Sequence, residues 1–265
     1  MLPISQFPAD AAKALRGVFF DIDDTLTTEG KLTAPAYDAI WRARQAGLWV
    51  VPVTGRPAGW CDLIARTWPV DGVIGENGAL AFYEVEGRLK RLFHPNAVLR
   101  SAHARFGELE RAILAEVPGS RVAADQAYRM FDLAIDFREE PPDLGWDAAE
   151  HIRAIFERFG AQAKVSSIHV NGWYGDYNKI AMTQEFLRAR WNIDFSREQS
   201  RFVFCGDSPN DEPMFAAFTH ACAVANISPF VDKLRQLPRY VTTHACGAGF
   251  TEMVDTLLSL RARAP

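Results

Sequence analysis

The run Val18-Phe19-Phe20-Asp21-Ile22-Asp23-Asp24-Thr25-Leu26-Thr27 constrains this chain more than any other stretch. Its apolar start reads as a short buried strand, and the strand ends abruptly in acids. Side chains alternate along a strand, so Asp21 and Asp23 point to one side. Two close carboxylates repel and push one pKa up unless a cation or a proton is shared between them. In open α/β sheets, ligands sit beyond the carboxyl ends of the strands, which is where these acids fall. One carboxylate there can attack an electrophile while the other handles protons, with a divalent metal offsetting the charge. Asp-Asp-Thr also suits a turn or a helix cap, and the rest of the chain has to separate the two readings.

Two further apolar runs end in the same manner. Residues 48–53 lead into Thr54-Gly55-Arg56, and residues 201–205 lead into Gly206-Asp207-Ser208-Pro209-Asn210-Asp211. Between the first two strands, Thr33-Ala34-Pro35 opens a helix and Gly47 closes it. Tyr37, Ile40, Trp41 and Arg44 give that helix one partly apolar face. Strand, helix, strand at this spacing predicts a βαβ unit and a parallel sheet. Pro52 has no N–H, so the second strand has either an unpaired side or a local distortion there. A helix over 58–67 leads to a third strand at 72–74. Gly75-Glu76-Asn77-Gly78 reads as a tight turn, and strands at 79–83 and 88–93 follow around Glu86-Gly87 as a hairpin.

Residues 86–174 break the βαβ rhythm and predict an inserted α+β domain. Leu99, Ala102, Phe106, Leu109, Ile113 and Val117 recur at helical steps, which makes one amphipathic helix. Phe131, Leu133, Ile135 and Phe137 alternate as a half-buried strand whose other face carries Asp132 and Asp136. Ile152, Ile155, Phe156 and Phe159 make a second helix stopped by Gly160, and residues 164–170 make a further strand. Pro141-Pro142 marks a loop. The earlier rhythm returns after Lys179, with a helix over 180–190, strands at 201–205, 221–225 and 240–242, and a closing helix over 251–260. The expected class is therefore α/β: a Rossmann-like parallel core with helices on both faces, in parts 1–85 and 175–265, around the insert 86–174.

A chain of 265 residues, 48% hydrophobic, can bury a core for two such domains. Its formal net charge of -4 gives no support for nucleic acid or an anionic membrane as partner. Cys61, Cys205, Cys222 and Cys246 form no C-x-x-C pair, which fits reduced thiols in the cytoplasm. The first residues lack the pattern of a secretory signal, and no apolar run is long enough to span a bilayer. The oligomeric state is not legible.

Three strand endings on one rim, plus Lys179 after an insert, form the constellation. In this order, Asp21-Ile22-Asp23-Asp24-Thr25, Thr54-Gly55-Arg56, Lys179 and Gly206-Asp207-Ser208-Pro209-Asn210-Asp211 resemble the motifs of the haloacid dehalogenase-type hydrolase superfamily. The insert, preceded by Glu76-Asn77-Gly78-Ala79, looks like the cap of the subgroup holding sucrose-phosphate, trehalose-phosphate and mannosyl-phosphoglycerate phosphatases. Asp24 stands where many relatives carry Gly. The resemblance implies a Mg²⁺-dependent phosphatase for a small phosphorylated substrate such as a sugar phosphate. Asp21 would be the nucleophile and Asp23 the general acid and base. The family holds the metal with the carboxylates of Asp21 and Asp207 and the carbonyl of Asp23. Asp211 would hold metal-bound water or orient Lys179. Thr54, Gly55, Lys179 and Asn210 would bind phosphoryl oxygens.

Other residues keep two readings. Thr54 is a phosphate ligand or a helix cap. Arg56 contacts the substrate or is structural. His169, Asn171 and Trp173 share strand parity just before Lys179, so they face the substrate or pack the cap–core junction. A phosphomannomutase-like mutase uses the same acids and needs cap cations such as Arg129 and Lys164 for a second phosphate. A receiver-type signalling module also combines acids, a Thr and a Lys, but in one compact domain without an insert.

Overall fold

A computed structural model of the chain describes residues 1–262. The chain starts with strand β1 (Leu2–Pro3), helix α1 (Ala9–Ala14) and strand β2 (Gly17–Phe20). Helix α2 (Ala34–Gln45), strand β3 (Trp49–Pro52), helix α3 (Ala58–Thr67) and strand β4 (Val73–Gly75) follow. Strands β5 (Leu80–Val85) and β6 (Arg88–Phe93) form a hairpin. Next come helix α4 (Phe106–Glu116), strands β7 (Arg121–Val122) and β8 (Leu133–Asp136), helix α5 (Gly145–Arg158), and strands β9 (Gln162–Val165) and β10 (His169–Trp173). The chain closes with α6 (Lys179–Trp191), α7 (Phe195–Glu198), β11 (Phe202–Gly206), α8 (Glu212–Ala217), β12 (His220–Ala223), β13 (Tyr240–Val241) and α9 (Cys246–Ala262).

The central sheet has six parallel strands in the order β1-β13-β12-β11-β2-β3. Both of its faces are covered, which is why β2 and β11 read as unbroken apolar runs. Val18 and Phe20 pack toward α2, α3 and α9, while Phe19 packs toward α6 and α8. Phe19, Phe20, Phe202 and Phe204 are all fully buried, each contributing roughly 1.5–3 kcal/mol. β3 is the edge strand, and this resolves Pro52. The Val53 amide bonds inward to Phe20, while the Val50 and Thr54 amides on either side of Pro52 bond outward, to Asp71 and Ile74. The proline nitrogen thus faces the side where no ladder bond is required. Beyond it, a single bridge from Val53 to Ile74 leads to the antiparallel β4-β5-β6 sheet.

The antiparallel cap sheet runs β7-β8-β10-β9, and α4 and α5 cover one face with their own apolar core. α5 packs tightly on β10 at Gly172, where an added Cβ would lie 2.0 Å from the Phe156 ring.

Four sequence expectations change here. The helical period from Leu99 is broken: Arg100–Ala102 is a separate 3-10 turn, Leu99 is exposed, and α4 begins only at Phe106. β8 is buried on both faces, because Asp132 and Ala134 are pressed against the core. The single strand over 164–170 is the hairpin β9–β10, turning at 166–168. On α2 the buried face is Ala36, Ala39, Ile40 and Ala43, leaving Trp41 exposed. No helix among the described residues is long and apolar enough to cross a membrane.

Candidate active site

β11 pairs with β2, and the Asp21 amide donates to the Cys205 carbonyl at 2.9 Å. The two strands therefore deliver Asp21 and Asp207 to one rim. Asp211 reaches back to this rim from the turn before α8, and its Oδ2 accepts the Asp207 amide at 3.1 Å. Oxygens of Asp21, Asp207 and Asp211 lie within 4.8 Å of one another. Only a glycine fits at 206, since a Cβ there would sit 2.4 Å from Asp211 Oδ2.

Lys179, the first residue of α6, brings its Nζ 2.8 Å from Asp211 and 3.1 Å from Asp21. α6 starts there because Asn178 caps it, accepting the Ala181 amide. Burial pushes Asp21 up to about 7 against the pull of Lys179, with Asp211 and Asp23 adding to the rise. Asp207 is pushed well above the usual carboxylate range by burial, then by Asp211 and Asp21, while its bond from Thr25 opposes. Burial works against the charge on Lys179, but Asp21 and Asp211 outweigh it and raise its pKa. Two of these three buried carboxylates, Asp21 and Asp211, thus share one ammonium, and Asp207 has none among the described residues. The hard oxygen donors of all three fit Mg²⁺.

The turn after β2 explains the departure at Asp24. Its φ is 56°, a left-handed conformation that glycine adopts freely and aspartate tolerates. Thr25, to which the sequence assigns no separate role, donates its hydroxyl to Asp207 Oδ1 at 2.9 Å.

Asp23 stands outside the three-acid group but lines the same cavity as Asp21. Its carboxylate takes Arg56 Nε and Nη2 at 2.8–3.1 Å. Arg56 is buried, and its Nη1 also meets Glu139 at 3.0 Å and Asp125 at 3.5 Å, both from the cap. Burial works against the Arg56 charge, but Asp23 and Glu139 outweigh it. Glu139 Oε2 lies 2.7 Å from His169 Nε2. His169 and Arg56 hold the Glu139 carboxyl down at about 2 against the effect of burial.

Thr54 is fully buried and does not cap α3. Its hydroxyl accepts the Arg56 amide, and the N-terminal neighbour of α3 is Pro57. The Gly55 carbonyl accepts from Arg129. Gly55, Asn210, His169 and Asn171 line the cavity beside Asp21 and Asp23. Asn171 donates to Asp132, and Asn210 accepts from Ser208. Trp173 lies elsewhere, stacked on Tyr177 within the apolar core. Arg129 is not free for a second phosphate, because Asp125 and Asp132 hold it.

Glu76, part of the turn before the insert, has no side-chain role assigned by the sequence. It is fully buried, and its carboxylate accepts the amides of Ala58, Met130, Phe131 and Asp132 at 2.6–3.2 Å. It therefore ties the core to the cap strand. The enclosed cavity is about 20 Å³, room for water rather than substrate. A cleft of about 430 Å³ adjoins it, and both are lined by Lys164, Ser166, Ser208 and Asn210.

Residues 18–108 match the family model described as haloacid dehalogenase-like hydrolase, and residues 178–256 match the sucrose-6F-phosphate phosphohydrolase model. A phosphoglycolate phosphatase of Pyrobaculum neutrophilum is 28% identical over 92% of this chain and 96% of its own length. One from Methanospirillum hungatei is 24% identical over 91% and 95%. A HAD/COF-like hydrolase of Plasmodium vivax has a similar fold, with a TM-score of 0.70 at 16% identity over 96% of this chain and 100% of its own. The sucrose-phosphatase of Synechocystis gives a TM-score of 0.60 at 14% identity over 92% and 98%. With its motif-bearing strand ends on one rim under an antiparallel cap, the chain is similar to haloacid dehalogenase-like hydrolases in both of the stretches these models match.

Proposed function

We propose that the chain is a Mg²⁺-dependent phosphomonoester hydrolase that works through an aspartyl-phosphate and takes a sugar phosphate or a similarly small phosphorylated metabolite. The observation that carries this reading is the meeting of Asp21, Asp207 and Asp211, with Lys179 against Asp21 and Asp211. Asp21, Asp207 and Asp211, with the Asp23 carbonyl, would hold the ion. When bound, it supplies positive charge that keeps neighbouring carboxylates ionised and offsets charge on the phosphoryl group.

In the first step an Asp21 oxygen attacks phosphorus, the bond to the leaving oxygen breaks, and Asp23 protonates that oxygen. In the second, Asp23 takes a proton from water as the water attacks the aspartyl-phosphate, which frees phosphate and restores Asp21. Lys179 and the Gly55 amide stabilise charge on the transferring group. Thr54 holds the loop that presents that amide. A cap over the rim excludes bulk water.

The same proposal divides the chain into core parts 1–85 and 175–265 and a cap at 86–174. The separate apolar core of the cap sheet supports this. The four unpaired thiols support a cytoplasmic setting. Arg129 is held by two cap acids, which weighs against the mutase.

A phosphate-release screen over sugar phosphates, phosphoglycolate-type acids and nucleotides, with and without Mg²⁺, tests the reading. Turnover should require Mg²⁺ and disappear in Asp21→Asn. Undiminished turnover in that variant rules the mechanism out.

A further inference from the structure

We infer that Arg56 is a positioning residue for Asp23, and that the cap acids Glu139 and Asp125 steady Arg56 in that task. The inference rests on the proposed role of Asp23 as the acid that protonates the leaving oxygen.

Guanidinium donors lie in a fixed planar fork, so two parallel bonds to a carboxylate set its rotation as well as its place. Arg56 Nε lies 3.0 and 3.1 Å from the two Asp23 oxygens, and Nη2 lies 2.8 Å from Oδ1. Among the described residues, no other side chain hydrogen-bonds to the Asp23 carboxylate. The Trp60 ring, 4.4 Å from the Arg56 guanidinium carbon, supports the plane of the fork. The Arg56 backbone is pinned as well, its amide to Thr54 Oγ1 and its carbonyl to the Glu76 amide.

The remaining nitrogen, Nη1, belongs to the cap. It bonds to Glu139 at 3.0 Å, and Asp125 lies 3.5 Å away. Glu139 Oε2 also lies 2.7 Å from Nε2 of His169, which lines the cavity. An unbroken line of contacts therefore runs from Asp23 through Arg56 and Glu139 to His169. When the cap lifts, Nη1 loses its partners, and the fork is free to turn about its own side chain. Asp23 then loses its fixed orientation toward the leaving oxygen. The cap thereby does more than exclude water: it completes the alignment of the proton donor.

Leaving groups separate this role from a structural one. An alkoxide needs its proton in the transition state, whereas p-nitrophenolate leaves without one. Arg56→Lys keeps the charge and loses the fork. It should lower kcat about a hundredfold for an alkyl phosphate turned over by the wild type, with KM little changed. For p-nitrophenyl phosphate the loss should stay under about threefold on the same reasoning. Glu139→Gln should show the same skew, about tenfold against nearly none. The double variant should be no worse than Arg56→Lys alone, because both act through one line of contacts.

Equal losses on both substrates, or a loss confined to KM, overturn the inference. If Arg56→Lys does not fold, Glu139→Gln decides alone by its skew. A wild type that releases phosphate from neither substrate sinks the phosphatase reading and this inference with it. An active wild type with parallel losses sinks only the role of Arg56.

Discussion

Replacing Asp21 with asparagine should stabilise the metal-free protein at alkaline pH and abolish its response to Mg²⁺. Burial raises Asp21 from 3.8 to about 7, so the folded chain holds this proton more tightly than the unfolded chain does. The stability linked to that proton is fully present below about 3.8 and is lost as the pH rises through about 7. A gap of roughly three pKa units corresponds to about 4 kcal/mol. For a chain of this size that is about 10 °C in Tm. The asparagine side chain is neutral throughout and does not carry this loss.

The assay is thermal unfolding of both proteins in EDTA and in excess Mg²⁺ between pH 5 and pH 8. In EDTA, the wild-type Tm minus the Asp21→Asn Tm should fall by about 7 °C across that range, because part of the roughly 4 kcal/mol is already lost below pH 5. Mg²⁺ should restore the wild type at pH 8, since the ion takes the place of the proton. At a hundred times its Kd, the ion contributes about 2.7 kcal/mol. It should do little for the variant, and little for either protein at pH 5. A difference that stays flat with pH, or equal rescue of both proteins at pH 8, refutes the argument from buried charge.

Two other substitutions test the frame around the site. Glu76→Ala removes the acceptor of four buried amides and should cost about 3–5 kcal/mol in denaturant unfolding; a cost under about 1 kcal/mol means that water replaces the carboxylate easily. Gly206→Ala drives a methyl group into Asp211 and should cost about 1–3 kcal/mol while lowering kcat more than tenfold. Unchanged turnover in that variant means that Asp211 has room to move.

Much of the core is legible because each signal is local. Strand endings at Asp21, Thr54 and Asp207 follow from apolar runs that stop, and Pro52 narrows its strand to an unpaired side or a distortion before any partner is known. The cap is less legible for equally local reasons. His103-Ala104-Arg105 carries no Gly or Pro, yet it separates a 3-10 turn from α4. The β9–β10 turn uses Ser166-Ser167-Ile168, without the Asn-Gly signal that announced the turn after β4. Trp173 shares parity with His169 and Asn171, but periodicity cannot tell a cavity wall from an apolar core. Asp125 and Glu139 carry no signal in the sequence, and Glu76 reads there only as part of a turn before the insert. Arg56 and Glu139 lie 83 positions apart, and no spacing rule connects them.

The charges explain why the cap acids matter if, as proposed, the site takes a phosphate dianion. Asp21, Asp23, Asp207 and Asp211 already crowd the rim, and Lys179 is shared by two of them. Bringing Asp125, Asp132 and Glu139 over the site would add repulsion if they stood alone. They do not: Arg129 holds Asp125 and Asp132, and Arg56 holds Glu139 together with Asp23. Two guanidiniums against four carboxylates leave this junction negative, and Arg129 of the cap and Arg56 of the core are both engaged by its acids. What remains to attract a phosphate is Lys179, amides at the strand ends, Lys164 at the mouth of the cavity and the divalent ion proposed for the aspartates. The arginines give the cap its fit to the core. The attraction for substrate has to come from the rim of the sheet, where the apolar strands end.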